Sequence, residues 1–247
     1  MGTEFKTKAL VLHEMQIGDY DKRLILLTKE HGKLTVFAKG AKKSNSKFLS
    51  VSQLFCYGEY HLFKGRNNYS LNKAELIDSF HSIRKSIEGL SVGLYILEFA
   101  EYVSMENHNE QNLLKLAIYT LKQIEKERVK LELIISIFEI KLLSLIGYLP
   151  WTQSCVICNS SEKLNAFNIK AGGIICDSCI NDRAVYKMSE GTRYTIEYIT
   201  KQPIEKLYNF SVEDYILLEL QDISKALVKE NIEKSFKALE FLNYNLL

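Results

Sequence analysis

Three observations predict an α+β fold for this 247-residue chain: a small N-terminal β-barrel, then a helical domain with a ribbon inserted in it. Short apolar runs bounded by turn residues fill the first 80 positions. From about residue 80 the apolar period becomes helical. Late in the chain stand two Cys-x-x-Cys pairs, Cys155/Cys158 and Cys176/Cys179, with 17 residues between them.

The strands come first. Lys8 to His13 reads as one, Arg23 to Thr28 as a second and Lys33 to Ala38 as a third. Glu30-His31-Gly32 joins the last two as a tight hairpin whose glycine tolerates positive φ. Leu54 to Phe63 makes a fourth strand, and Asn67-Asn68 turns the chain into a fifth, Tyr69 to Ile77. Five strands in about 80 residues with no strong helix among them predict a closed barrel of the OB type, the commonest small five-stranded barrel that takes oligonucleotides. The expected boundaries are 1–80 for the barrel and 81–247 for the helical domain, with the ribbon at about 151–187.

The helices follow from periodicity. Gly89 to Glu106 places Leu90, Leu94 and Leu97 on one face, and Asn112 to Lys126 repeats the pattern with Leu113, Leu116, Leu121 and Ile124. Leu131 to Ile146 is apolar on most sides, so it is expected as the central buried helix, ended by Gly147 and Pro150. Ser189 and Ser211 are placed as N-caps, the latter in a Ser211-x-x-Asp214 approximation to a capping box before a Tyr215–Val228 helix. A last amphipathic helix is expected from Ile232 to about Leu242. The helices on either side of the ribbon are expected to pack together.

The cysteine spacing carries the most specific chemistry. Each Cys-x-x-Cys turn points two sulfurs at one point, and the spacing between pairs falls in the four-cysteine zinc range. Residues 159–175 are long enough to run out and return as a hairpin, with Gly172-Gly173 just before the second pair. Four thiolates complete a tetrahedron and leave no position for water, so one structural Zn²⁺ per chain is expected and a catalytic one is not. The competing readings are two disulfides or four unrelated buried thiols. An odd total of five cysteines, with no secretory leader in residues 1–20, argues against a disulfide framework. Cys56 stands alone and reads as a small core residue. No stretch of 18 uncharged apolar residues occurs, so no membrane span is expected, and the chain reads as cytoplasmic.

Net charge is only +2, but it is unevenly spread. Residues 1–80 hold 13 Lys/Arg against 8 Asp/Glu, and between 33 and 73 eight cations face Glu59 alone. Such density marks a phosphate-binding surface or a merely solvated face. Alternation along the third strand puts Lys33, Thr35, Phe37 and Lys39 on the face opposite Leu34, Val36 and Ala38. Cations flanking an exposed ring suit a single strand, phosphates pairing with lysine and bases stacking on the aromatic. The alternative is that Phe37 covers the barrel against a helix. The Gly40–Lys47 loop adds Lys42, Lys43 and Lys47. The expected nucleic-acid contacts are thus Lys33, Phe37, Lys39, Lys42, Lys43, Lys47, Lys64 and Arg66.

A search for catalysis returns nothing. The five histidines are scattered with no His-Glu-x-x-His pair, and neither a Gly-x-Ser-x-Gly elbow nor a glycine-rich dinucleotide loop occurs. Acidic pairs such as Glu213/Asp214 fit solvated helix faces. The expectation is a binding protein without enzymatic activity. A zinc-ribbon scaffold in transcription or translation, its barrel reading RNA, is the alternative on these grounds.

The runs Ala9-Leu10-Val11-Leu12, Gly18-Asp19-Tyr20-Asp21-Lys22, Leu27-Thr28-Lys29-Glu30-His31-Gly32-Lys33 and Ala38-Lys39-Gly40-Ala41-Lys42-Lys43 resemble the bacterial RecO family of DNA recombination and repair proteins. So do Gly147-Tyr148-Leu149-Pro150, the cysteine pairs, Phe167 and Gly172-Gly173, in the same order along nearly the whole chain. Asp19 stands where members often carry Glu. The resemblance implies an OB-fold, a helical domain with a four-cysteine zinc site, and a nucleoid-associated, non-enzymatic recombination mediator. It implies binding of single- and double-stranded DNA, annealing of complementary strands, and partnership with RecR in helping RecA onto DNA. It also implies contact with the acidic C-terminal tail of single-stranded-DNA-binding protein. An acidic tail ending in an aromatic residue needs an apolar pocket rimmed by cations. Lys122 and Lys126, beside Leu121 and Ile124, are the candidate place for it; the alternative is that Leu121 and Ile124 face the core and the lysines solvate the helix.

Overall fold

The computed structural model describes residues 2–66, 68–181 and 183–238. These fall into two compact units, one of residues 2–125 with 236–238 and one of residues 126–235.

The first unit is built on a barrel of β1 (Thr3–Ile17), β2 (Asp21–Thr28), β3 (Gly32–Ala38), β4 (Tyr57–Lys64) and β5 (Tyr69–Asp78). It closes in the order β1-β2-β3-β5-β4, with β3 and β5 parallel and the other pairs antiparallel. This is the five-stranded OB topology. β1 serves two neighbours: Thr3 to Leu10 pairs with β4, and Ala9 to Ile17 with β2. An irregularity between Val11 and His13 lets the long strand bend between those roles. Alternation fixes the interior, where Leu24, Leu26, Leu34, Val36, Ala38, Tyr60 and Leu62 are fully buried.

Two strands depart most from expectation: β1 runs from Thr3 to Ile17 and not merely from Lys8 to His13, and β4 starts later than Leu54. Phe55 adopts φ +68°, so Leu54 to Cys56 cannot extend and β4 starts at Tyr57. Residues 39–56 instead form successive turns that send Ala41, Phe48, Val51 and Cys56 into the barrel core. Burial raises the Cys56 thiol pKa, and the sulfur lies 3.0 Å from the Ser50 carbonyl oxygen, so the residue is core as expected.

A 3₁₀ turn (His81–Lys85) leads into α1 (Ile87–Val103) and α2 (Gln111–Lys126). The Ser86 hydroxyl accepts from the Gly89 N–H at 2.9 Å and caps α1. The β2–β3 turn grips the α1–α2 connection: the Lys33 N–H donates to the Met105 carbonyl at 3.0 Å, and the Asn107 N–H to that of His31 at 2.9 Å. Gly32, at φ +66°, permits this approach, because a Cβ there would overlap the Met105 carbonyl oxygen.

The second unit holds α3 (Leu131–Leu145), β6 (Leu164–Asn168), β7 (Gly173–Cys176), α4 (Asp177–Ile180), β8 (Tyr186–Lys187), α5 (Glu190–Lys201) and α6 (Asp214–Asn231). α3 is buried along nearly its whole length and packs against α5 and α6, which are the expected partners across the ribbon. Gly147 at φ +100° ends it, with the Tyr148 N–H returning to the Leu143 carbonyl at 2.8 Å. Lys141 is buried on α3, and burial lowers its pKa. Its ammonium donates to the carbonyls of Thr200 and Gln202, both at 2.8 Å, and so satisfies the C-terminal end of α5.

Ser189 caps α5 as expected, accepting from the Thr192 N–H. Ser211 does not cap α6. The helix begins at Asp214 with Glu213 at the N-cap and no side-chain cap bond, so the capping box is not formed. The last expected helix is also not seen where it should begin, since residues 232–236 are non-helical. Its remainder from Leu239 lies outside the described residues.

Candidate metal centre and nucleic-acid interface

The ribbon is the hairpin of β6 and β7 with β8 added on the far edge of β6. The chain before it is clamped to the hairpin: the Trp151 N–H donates to the Gly172 carbonyl at 2.9 Å, and the Ile174 and Val156 N–H groups alternate with it at 2.8 and 2.9 Å. Each cysteine pair then sits on a turn. Asn159 at φ +62° closes the first, its N–H donating to the Cys155 carbonyl. Cys176 is the N-cap of the short α4, which carries Cys179 one turn later. All four Sγ atoms lie within 4.8 Å of one another, with those of Cys158 and Cys176 at 3.6 Å.

That geometry fits a tetrahedral thiolate site. Zn–S bonds of ~2.3 Å require sulfurs roughly 3.8 Å apart. All five cysteines of the chain are free, and the four in the ribbon form one cluster without the direct bonding that two disulfides would impose. The environment also favours thiolate at one corner. Burial pushes the Cys155 thiol up, but hydrogen bonds from the backbone of Cys158, Cys176 and Ile157 outweigh it and bring the pKa down to about 6. Cys179 is pushed up to about 12 by desolvation and by the neighbouring thiols, first that of Cys158. Four thiols crowded within 4.8 Å of one another are a donor set that a divalent cation relieves.

The basic surface of the barrel is assembled from two loops that brace each other. The Asp21 carboxylate accepts the Gly40 N–H at 2.7 Å, and the Tyr20 carbonyl accepts the Lys42 N–H at 2.9 Å. Lys43 places its ammonium 5.6 Å from the Tyr20 ring centroid. Phe37 is 39% exposed and Tyr20 56%, so Phe37 is not covered by a helix. Arg23 lies opposite Phe37 in the β2–β3 register. Lys39, Lys42 and Lys43 are exposed on the chain that follows Phe37.

The other expected contacts divide. Lys64 stacks its ammonium on Tyr69 at 5.6 Å, on the strand next to β3. Arg66 is exposed at the tip of the same hairpin. Lys47 is exposed but donates to the Asn72 carbonyl at 3.0 Å. Lys33 departs from expectation: it sits at the opposite end of β3 and donates to the Glu101 carbonyl of α1 at 2.7 Å, closing the C-terminal end of that helix. Six residues of strand, about 20 Å, separate it from Lys39. Sequence reasoning missed Tyr20 and Arg23. Their signal was an aromatic in a Gly18–Asp21 turn and a cation in register with Phe37, legible only once the pairing is known.

The pocket expected beside Lys122 and Lys126 is not there in that form, because Leu121 and Ile124 are buried at 0% and 4% exposure. A groove of about 640 Å³ lies on the adjacent face of α2, between it and the barrel. Leu114, Ile118, Tyr119 and Tyr57 give it apolar walls, and Lys6, Lys8, Lys29, Lys115 and Lys122 rim it. Lys6 pairs with Glu59 at 2.5 Å and Lys29 with Glu30 at 3.2 Å. Lys126 is outside the lining.

Fold and site together define a protein with an OB barrel and a four-cysteine ribbon. Residues 1–80 match the family model for the recombination protein O N terminal, and residues 84–240 that for the recombination protein O C terminal. The chain is 34% identical over 240 residues to the DNA repair protein RecO of Acetivibrio thermocellus, covering 96% of this chain and 95% of that one. It is 35% identical over 239 residues to that of a Thermoanaerobacter species, covering 96% of each, and 33% identical to that of Clostridium novyi. The chain belongs to the RecO family of DNA repair proteins. Among the described residues no helix is long and apolar enough to cross a membrane.

Proposed function

We propose that this chain is a recombination mediator that performs no bond chemistry of its own. It binds single- and double-stranded DNA, anneals complementary strands, and with RecR helps RecA onto DNA coated by single-stranded-DNA-binding protein. It acts in the cytoplasm at the nucleoid, with residues 1–80 supplying the DNA surface and residues 81–247 the helical, zinc-bearing part. The observation that carries the reading is the platform of Tyr20 and Phe37 with the cations Arg23, Lys39, Lys42 and Lys43. Exposed rings take bases and the cations take phosphates, without hydrogen-bond readout of sequence. Lys47, Lys64 and Arg66 extend the phosphate track, and Lys33 drops out of it.

One Zn²⁺ held by Cys155, Cys158, Cys176 and Cys179 supplies a closed structural crosslink, with no open position for substrate. The groove between α2 and the barrel suits the acidic tail of single-stranded-DNA-binding protein: Leu114, Ile118 and Tyr119 receive the terminal ring, and Lys115 and Lys122 face the carboxylates. Lys115→Glu with Lys122→Glu is expected to weaken a labelled tail peptide while leaving oligonucleotide binding intact. The deciding experiment is annealing of complementary strands precoated with their own single-stranded-DNA-binding protein. Acceleration by the chain supports the reading. Failure to accelerate, with tighter binding to RNA than to DNA of the same sequence, overturns it.

A further inference from the structure

A second cationic cleft, of about 630 Å³, lies against the ribbon in the unit of residues 126–235. Three segments contribute to it. Lys170 comes from the β6–β7 turn, Arg183 from the segment leading into β8, Tyr186 from β8 itself, and Lys229 with Glu230 from the last turn of α6. Three cations thus face a single described carboxylate. Ala184 and Ala226 keep part of the wall low, and Tyr186 offers a ring that is 36% exposed.

The cleft is braced from beneath. The Asn168 side chain, only 8% exposed, accepts the Ala171 N–H at 2.8 Å and donates to the Ala184 carbonyl at 3.1 Å. It therefore fixes the turn that carries Lys170 to the segment that carries Arg183. Arg183 in turn donates from Nη1 to the Cys179 carbonyl at 2.6 Å. One face of its guanidinium is anchored on a residue of the thiol cluster, and its other N–H groups remain to fork onto an oxyanion.

We infer that this cleft holds the phosphodiester backbone of a second nucleic-acid strand, distinct from the strand on the barrel. This rests on the reading of the barrel as a DNA platform. Cations for phosphates and one exposed ring for a base are the elements of a single-strand site. An acidic peptide with an aromatic tip would need a deep apolar pocket, and among the described residues Ile169 is the only branched aliphatic side chain in this lining. Two separate tracks on one chain give annealing a physical basis, since each strand is held by its backbone with bases free to meet. Because Arg183 hangs on Cys179, the second track depends on the folded ribbon and the first does not.

The test counts strands. A short labelled oligothymidylate titrated into the full-length, zinc-loaded chain at low salt is expected to saturate at two strands per chain. Lys170→Glu with Lys229→Glu should leave one. Two lost phosphate contacts at a slope of about 0.7 each predict roughly twenty-fold weaker binding at the second site in 0.1 M salt. The neutral pair Lys170→Gln with Lys229→Gln should show about that loss and the reversed pair at least as much, which separates charge from misfolding. Annealing should slow in both variants, and chelation should remove the second strand while sparing the first. Two strands still bound by both variants, with parental annealing, overturns the inference. So does a cleft that takes polyglutamate and no oligonucleotide. If Lys42→Glu with Lys43→Glu also leaves binding unchanged, the barrel reading falls as well. If that barrel variant alone loses a strand, only the cleft is refuted.

Discussion

Glu219 offers the sharpest quantitative check on the helical unit. Its carboxylate, on α6 and only 9% exposed, accepts the Ser189 N–H at 2.8 Å and the Thr192 hydroxyl at 2.6 Å. Both donors belong to the first turn of α5, so one anion holds the N-terminal end of that helix. Burial works against the charge, but the bonds from Thr192 and Ser189 prevail and the pKa lies below its usual value. Glu219→Gln keeps the shape and removes the charge. A charge-assisted bond contributes about 1.5–3 kcal/mol and a neutral one about 0.5–1.5, so two bonds predict a loss of about 2–3 kcal/mol. The pH dependence has a fixed sign. A depressed carboxylate pKa adds stability that is complete above the unfolded value, near 4.3, and vanishes as pH falls through the folded value. Urea unfolding at neutral pH should therefore separate parent from variant by that amount, and the gap should close in acid. A gap that is absent at neutral pH, or equally wide in acid, refutes the assignment of the clamp to the carboxylate charge.

Three further outcomes are expected. Metal analysis of protein purified under reducing, chelator-free conditions should give one zinc per chain, and Cys155→Ser should abolish it; apparent binding energies of such sites run to about 10–16 kcal/mol, so loss should melt the ribbon. Lys42→Glu with Lys43→Glu should lower the salt slope of single-strand binding by about 1.4 and weaken all sequences alike, as salt titrations with two unrelated oligonucleotides would reveal. Gly32→Ala adds about 1–2 kcal/mol of left-handed strain and displaces the Met105 carbonyl, so hydrogen exchange at Lys33 and Asn107 should speed up while the barrel melts lower.

What sequence could deliver here depended on whether the signal was local. β2 and β3 were legible because alternation and the glycine between them act over adjacent residues. The thiol cluster was legible because ligand spacing is itself the geometry. The start of β4 was not, since a phenylalanine at positive φ leaves no mark in composition. The cap of α6 slipped because Ser211 looked the better acceptor for the free N–H groups while the backbone turns only at Glu213. Lys33 shows the limit most clearly. It has the same neighbours in kind as Lys39, and only the position of α1 decides that a carbonyl takes its ammonium. The groove on α2 was invisible for the same reason: its apolar wall of Leu114, Ile118 and Tyr119 lies on the face adjacent to that of Leu121 and Ile124.

The ribbon interrupts a pair of helices that belong together, and this shapes how the unit is made. α3 and α6 pack on each other although about 70 residues separate their nearer ends. Left as open chain, that stretch would have to be closed as one long loop before the pair gained any contact, and closure entropy grows with its length. A ribbon folded first draws residues 151 and 188 together, through the Trp151 bonds to Gly172 and Ile174 and the Met188 N–H on the Asn165 carbonyl at 2.9 Å. The effective separation then shrinks to the residues outside it. A metal tying Cys155, Cys158, Cys176 and Cys179 would thereby act on folding order as well as on the finished structure: α3 is made first, and closure of the ribbon would deliver α5 and α6 already aimed at it.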